Sequence, residues 1–233
     1  MKKNSLIIAP AMAAQSEIEL FAETLAFMTP YYAMDFVDPL SIVDKNLSND
    51  DYYRAWQHHL AEKLHEYDAF IGFSFGGVIL QQCFSVFERQ HHPIVLFSTP
   101  TFIDESLKQR LGRVVELCED KQVDLALDTL YKDVYYPNQQ PTYNWDNLNH
   151  SEAAERLITG LSRVLTTNSS SIVNEAGVNH LHLIGEHSRL VNKHNVIAPQ
   201  TGRLLTVPGA GMRVLQDNLA FCEQNILTWL NHE

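Results

Sequence analysis

The stretch Ile71–Gly77, "IGFSFGG", sets a serine between two glycines in a Gly-x-Ser-x-Gly pattern, where a short apolar run meets a stretch of helical period. A strand that turns this sharply into a helix forces its serine into a strained backbone conformation, and Gly72 and Gly76 leave room where side chains would clash. The following helix presents unpaired N–H groups and the positive end of its dipole to that serine, which suits a developing oxyanion. The chemistry is nucleophilic: Ser74 can attack if an imidazole takes its proton and a carboxylate holds that imidazole in place. The glycines do not fit the Gly-x-Gly-x-x-Gly of a dinucleotide-binding turn.

Other chemistry-bearing residues give weaker patterns. His180 and His182 share one face of an expected strand and suggest half a metal site, but with no third clustered ligand they read as rim or core histidines. Tyr131, Tyr135, Tyr136, Tyr143 and Trp145 gather around the connector "YYPNQQPTYNW", either lining an acyl or aryl pocket or forming a local core. Cys83, Cys118 and Cys222 are odd in number and widely spaced, which argues against a disulfide framework and a zinc site. They are expected to be reduced and buried, and no metal or cofactor is expected.

The elements that must position these residues alternate along the chain. Short apolar runs at 5–10, 33–37, 68–74, 94–99, 180–185 and 203–209 read as strands, and stretches near 16–28, 50–66, 76–90 and 215–231 as helices. That order is the signature of a mostly parallel sheet flanked by helices, an α/β fold. Within 76–90, Val78, Ile79, Gln82, Cys83, Val86 and Phe87 fall at spacings of three and four, so one face packs on the sheet. From about 101 to 179 the alternation gives way to helical segments, which read as a helical cap inserted into a single domain over 1–233. Asp104 is either a relocated acid or, more simply, the N-cap of the helix beginning "ESLKQR".

A formal net charge of -11 gives the surface the sign of phosphate backbones and anionic lipid. Nucleic-acid and membrane-surface binding therefore lack electrostatic support. The apolar run near the N-terminus is too short for a signal-peptide core or a membrane span, so a cytoplasmic location is expected.

With the elbow, three further stretches give the chain a resemblance to the α/β-hydrolase fold, in particular to small esterases and acyl-thioesterases. "SLIIAPAMA" resembles an elbow-facing strand with its oxyanion loop; "AERLITGLSRVL" with "LHLIGEHSRLV" is similar to a late cap helix and the acid-bearing strand end; "LLTVPGAGM" with "VLQDNLAFCEQNILTWL" is similar to the last strand, histidine loop and C-terminal helix. The resemblance implies a triad in the order serine, acid, histidine. It puts Ser188 where the carboxylate belongs and Met212 where the base belongs, so both triad positions beside Ser74 are vacated. Ala9 and Pro10 replace the usual His-Gly of the oxyanion loop; Pro10 has no N–H, which leaves Ala11 and Phe75 as backbone donors.

A relocated base is conceivable at His187 or His194, with Glu186 or Asp217 as its carboxylate. Three function classes follow. The first is a protein that has lost triad hydrolysis and binds an acyl, ester or thioester-like ligand, small or carrier-bound, or a protein partner, in a biosynthetic context. The second is an active serine esterase, thioesterase or acyltransferase with a relocated base. The third is a lyase or cyclase that uses the oxyanion hole without a nucleophile.

Overall fold

The computed structural model describes residues 2–88 and 91–232. Strands β1 (Lys3–Ile8), β2 (Tyr32–Val37), β3 (Ala69–Phe73), β4 (Ile94–Phe97), β5 (His180–Gly185) and β6 (Gly202–Val207) form one sheet in the order β2-β1-β3-β4-β5-β6. Every pairing is parallel, with Ile71 of β3 opposite both Ile7 of β1 and Val95 of β4. Between and after the strands lie α1 (Glu17–Ala22), α2 (Pro39–Ile42), α3 (Asn49–Lys63), α4 (Phe75–Gln82), α5 (Phe84–Phe87), α6 (Glu105–Glu119), α7 (Val123–Tyr135), α8 (His150–Leu165), α9 (Ser170–Glu175), α10 (Val214–Asp217) and α11 (Leu219–His232).

Successive strand residues feed opposite apolar layers, as a period of two requires. Leu6, Ile8, Phe70 and Leu96 join the layer built with α3, α4, α6, α7 and α8. Ile7, Ile71, Val95 and Leu183 join the layer built with Leu25, Met28 and α11. With both faces covered, the central strands read as continuous apolar runs. The chain moves one way along the sheet from β1 to β2 and the other way from β3 to β4. Right-handed crossovers then require helices on opposite faces, and the two layers supply them. No described helix is long and apolar enough to cross a membrane.

The expected strands and helices are present with shifted ends, and the shifts have local causes. β1 stops at Ile8 rather than 10 and β6 at Val207 rather than 209, because Pro10 and Pro208 have no N–H for the ladder. β3 stops at Phe73, so Ser74 belongs to the turn and not to the strand.

The single helix expected over 16–28 is α1 followed by a 3-10 turn over Glu23–Met28, where Thr24 Oγ1 donates to the Phe21 carbonyl at 2.8 Å. The stretch 50–66 likewise ends in a 3-10 turn, Leu64–Glu66. The helix expected over 76–90 breaks at Cys83, where Gln57 Nε2 donates to the Gln82 carbonyl at 2.8 Å and takes it out of the helical ladder; residues 89 and 90 lie outside the described residues. The last helix divides at Asn218, whose side chain accepts from Phe221 N at 3.3 Å and donates to the Pro208 carbonyl at 3.0 Å.

A close backbone approach holds the centre of this arrangement together. A Cβ on Gly76 would lie 2.2 Å from the Ile8 carbonyl oxygen, so α4 packs on the end of β1 only with glycine there. Gly76→Ala is expected to cost about 3 kcal/mol or more by overpacking. A fall in the urea midpoint with an unchanged m-value checks this.

Candidate active site

Ser74 sits at φ 48° and ψ −111°, a conformation that L-residues rarely adopt. Two hydrogen bonds hold it: its N–H donates to the Phe97 carbonyl at 2.9 Å, and its carbonyl accepts from Val78 N at 3.0 Å. The turn lies beside the point where the strand order reverses, at the carboxyl ends of β1 and β3, the usual place for a ligand crevice in such sheets. A cavity of about 360 Å³ opens there. Its floor includes Ser74, Phe75 and the loop from Pro10 to Ala13, and α6, α7 and α8 supply a largely apolar roof through residues such as Leu107, Leu130 and Leu161.

Ala11 and Phe75 line this cavity with Ser74, and among the described residues neither N–H is taken by a turn, loop or cap hydrogen bond. Helix α8 fixes the loop that carries Ala11. Arg156 donates to the Met12 carbonyl at 3.0 Å and makes a two-pronged contact with Asp38 at 3.0 and 3.1 Å. One turn further along, Gly160 faces Ala11; a Cβ there would lie 2.6 Å from the Ala11 Cβ. Asp38 also accepts from Leu40 N at 3.1 Å and so caps α2. The Asp-Pro pair that starts this helix was visible in the sequence, but four residues carry no period.

The two positions that the family resemblance assigns to acid and base lie side by side. Ser188 Oγ is 4.0 Å from Met212 Sδ and accepts from Val191 N at 3.2 Å. Met212 lines the cavity with Ser74, and its carbonyl accepts from Ser98 Oγ at 2.7 Å. Ser98, at φ 43°, is a second serine in the left-handed region on the cavity wall. Sequence reasoning missed it, and its only signal is a serine directly after the apolar run of β4.

The remaining candidates lie elsewhere. No histidine lines the cavity among the described residues. His187 is half exposed, with Nε2 3.7 Å from the equally exposed Glu186. His194 is exposed, and its N–H is tied to Asn192 at 2.9 Å. Asp217 accepts from Gly211 N at 2.8 Å and from Asn138 Nδ2 at 2.7 Å. Asp104 caps α6, accepting from Leu107 N at 2.8 Å. Of the five aromatic residues, Tyr131, Tyr135 and Tyr143 reach the cavity, while Tyr136 and Trp145 do not line it. The three cysteines are buried free thiols.

His180 and His182 lie in the core. His182 Nε2 accepts from Thr99 N at 3.3 Å, and the His180 ring rests 5.0 Å from that of Phe84. No group of three or more His, Cys, Asp or Glu side chains suited to a metal occurs among the described residues. Burial pulls the His180 imidazole down to about 4 and that of His182 to about 3, the latter helped by its neighbour His180.

Two charged side chains line the cavity, Glu17 and Arg213, and neither stood out in the sequence. Glu17 reads as an ordinary acid in a first helical turn, and Arg213 is overshadowed by Met212. Burial pushes the Glu17 carboxyl up, against the lowering effects of the Ala14 and Ala13 backbone, Arg156 and the Tyr131 hydroxyl. Burial likewise raises the Tyr131 and Tyr143 hydroxyls. Tyr143 also exchanges a short hydrogen bond with Tyr135.

No family model matches the chain, and no curated protein matches it by sequence. Solved structures do match in shape. MGS-M2, an α/β hydrolase enzyme from a Medee basin deep-sea metagenome library, superposes with a TM-score of 0.70 at 11% identity over 99% of this chain and 90% of its own. MenH from S. aureus gives a TM-score of 0.70 at 15% identity, covering 100% of this chain and 95% of its own. A thermophilic esterase gives 0.62 at 14% identity, covering 100% and 90%. The chain has the α/β-hydrolase fold.

Two outcomes follow from these contacts. Arg156→Ala leaves Asp38 buried without its partner and is expected to cost about 3–5 kcal/mol. Adding Asp38→Asn should recover part of that loss in a double-mutant cycle read by urea unfolding. The two core histidines bind fewer protons folded than unfolded. Stability is therefore full above about pH 6.5 and falls as the pH drops from there toward about 4 for His180 and about 3 for His182. His180→Asn should make the decline in urea midpoint between pH 6.5 and 4 shallower than in the unaltered protein.

Proposed function

We propose that the protein binds an acyl ligand, an ester or a carrier-bound thioester, in the cavity beside Ser74 without triad hydrolysis, as an accessory factor in a biosynthetic setting. The observation that carries this reading is the composition of the cavity wall, which holds Ser74 and the Met212 thioether but no histidine among the described residues. A thioether does not accept a proton from a hydroxyl at neutral pH, so Ser74 stays a neutral, weak nucleophile. Loss of the base from a serine hydrolase lowers kcat by about 10⁶-fold.

What persists suits binding. The apolar roof fits an acyl chain, and the N–H groups of Ala11 and Phe75 fit its carbonyl oxygen. A second reading, an active serine esterase, thioesterase or acyltransferase using His187 or His194, is favoured by one observation: the strained backbone is retained at Ser74.

Intact-mass analysis after fluorophosphonate treatment separates the two. No Ser74-dependent adduct is expected, whereas the thioester octanoyl-N-acetylcysteamine should raise the melting temperature of the unaltered protein and of Ser74→Ala equally and remain unhydrolysed. Stoichiometric labelling abolished by Ser74→Ala would replace this reading with the second.

A further inference from the structure

Among the described residues, Arg213 is the one basic side chain that lines the cavity. It follows Met212 directly in the loop after β6, and its guanidinium lies over the Tyr135 ring, 4.0 Å from the centroid. Two other arginines stack on tyrosines in the same way, but their charge is answered. Arg163, over Tyr52, donates to Asn49 and to the Lys45 and Leu47 carbonyls at 2.7 to 2.9 Å. Arg189, over Tyr136, has Asp133 at 3.8 Å. The Arg213 guanidinium has no hydrogen bond or ion pair to any described residue; its backbone carbonyl accepts from Asp217 N at 2.9 Å. Asp217, one helical turn away, forms no ion pair with it; its two oxygens accept from Asn138 Nδ2 and Gly211 N at 2.7 and 2.8 Å.

The other ionisable side chain on the wall is Glu17, whose carboxyl burial pushes up despite the opposing effects of the Ala14 and Ala13 backbone, Arg156 and the Tyr131 hydroxyl. Glu17 and Arg213 line the cavity together with Tyr131, Tyr135 and Tyr143, and Arg213 lies over the Tyr135 ring. A half-buried guanidinium held over a ring and left without a carboxylate is preorganised for a planar anion. Low-dielectric walls strengthen that attraction.

We infer that the cavity takes an amphipathic carboxylate, its apolar chain under α6 and α8 and its carboxylate on Arg213. This rests on the proposed acyl-binding role and names the chemistry of the ligand's polar end. One free guanidinium matches a monoanion. A phosphate dianion brings a second negative charge that no second cation among the described lining residues answers, and is the poorer fit.

Titration calorimetry with octanoate, 1-octanol and octyl phosphate on the full chain tests this. The unaltered protein is expected to bind octanoate about tenfold or more tighter than 1-octanol, the scale of a charge-assisted pair. Arg213→Gln should abolish that preference and leave 1-octanol binding unchanged, and the retained alcohol binding shows that the variant is folded. Arg213→Lys, which keeps the charge, should retain part of the preference. Equal binding of octanoate and 1-octanol by the unaltered protein overturns the inference and leaves the acyl-binding role standing. Tighter binding of octyl phosphate than of octanoate overturns the carboxylate assignment. Failure of all three probes to bind overturns the acyl-binding role as well.

Discussion

The turn between β3 and α4 lies against the carbonyl of Ile8 more closely than any side chain allows, and the shape of the cavity depends on that approach. It brings the carboxyl ends of β1 and β3 together where the strand order reverses. The loops leaving those two strands must then diverge, one toward α1 and the other into α4. A crevice is the geometric consequence. The strain at Ser74 is the local cost of making the turn this tight, and the packing of both apolar layers holds it in place.

Helix α8 couples the roof of the cavity to its floor. Arg156 and Gly160 stand one turn apart on the same helix; the first grips the Met12 carbonyl and Asp38, and the second lets Ala11 come close. The roof therefore does not rest on the sheet by apolar contact alone. A buried bidentate ion pair fixes its register against the loop after β1, with good geometry on both prongs, which is the condition under which such a pair offsets its desolvation. A shift of α8 would drag the Ala11 N–H with it, so the shape of the roof and the position of the carbonyl donors are one variable rather than two.

Period and turn chemistry carried the sheet well. β5 was legible to the residue, and the elbow was readable because Gly-x-Ser-x-Gly states a local backbone requirement in a few letters. Helix continuity was not legible. Gln57 breaks the helix after Gln82 from far along the chain, and only the fold brings that side chain to that carbonyl. The same limit applies to the site. Ser74, Ala11 and Phe75 follow from local turns, whereas Glu17 and Arg213 acquire meaning only when α1 and the loop after β6 converge on one cavity. The aromatic cluster was half legible: its composition was plain, but which rings face inward is decided by packing, and Trp145 stacks on Tyr143 instead of lining the wall.

Neutral contacts hold Met212 itself, while the carboxylates of Glu186 and Asp217 accept from Gly209 N and Gly211 N just before it, each at 2.8 Å. Ser188 accepts from Val191 N and touches the Met212 sulfur, while Ser98 holds the Met212 carbonyl. These contacts at Ser98 and Ser188 are neutral and satisfy their own polar atoms. One residue later, Arg213 sets its guanidinium over a ring rather than against an acid. Among the described residues that line the wall there is no imidazole beside Ser74, and Arg213 is the one basic side chain. On the proposed reading, such a wall suits recognition of an anionic ligand better than activation of the serine.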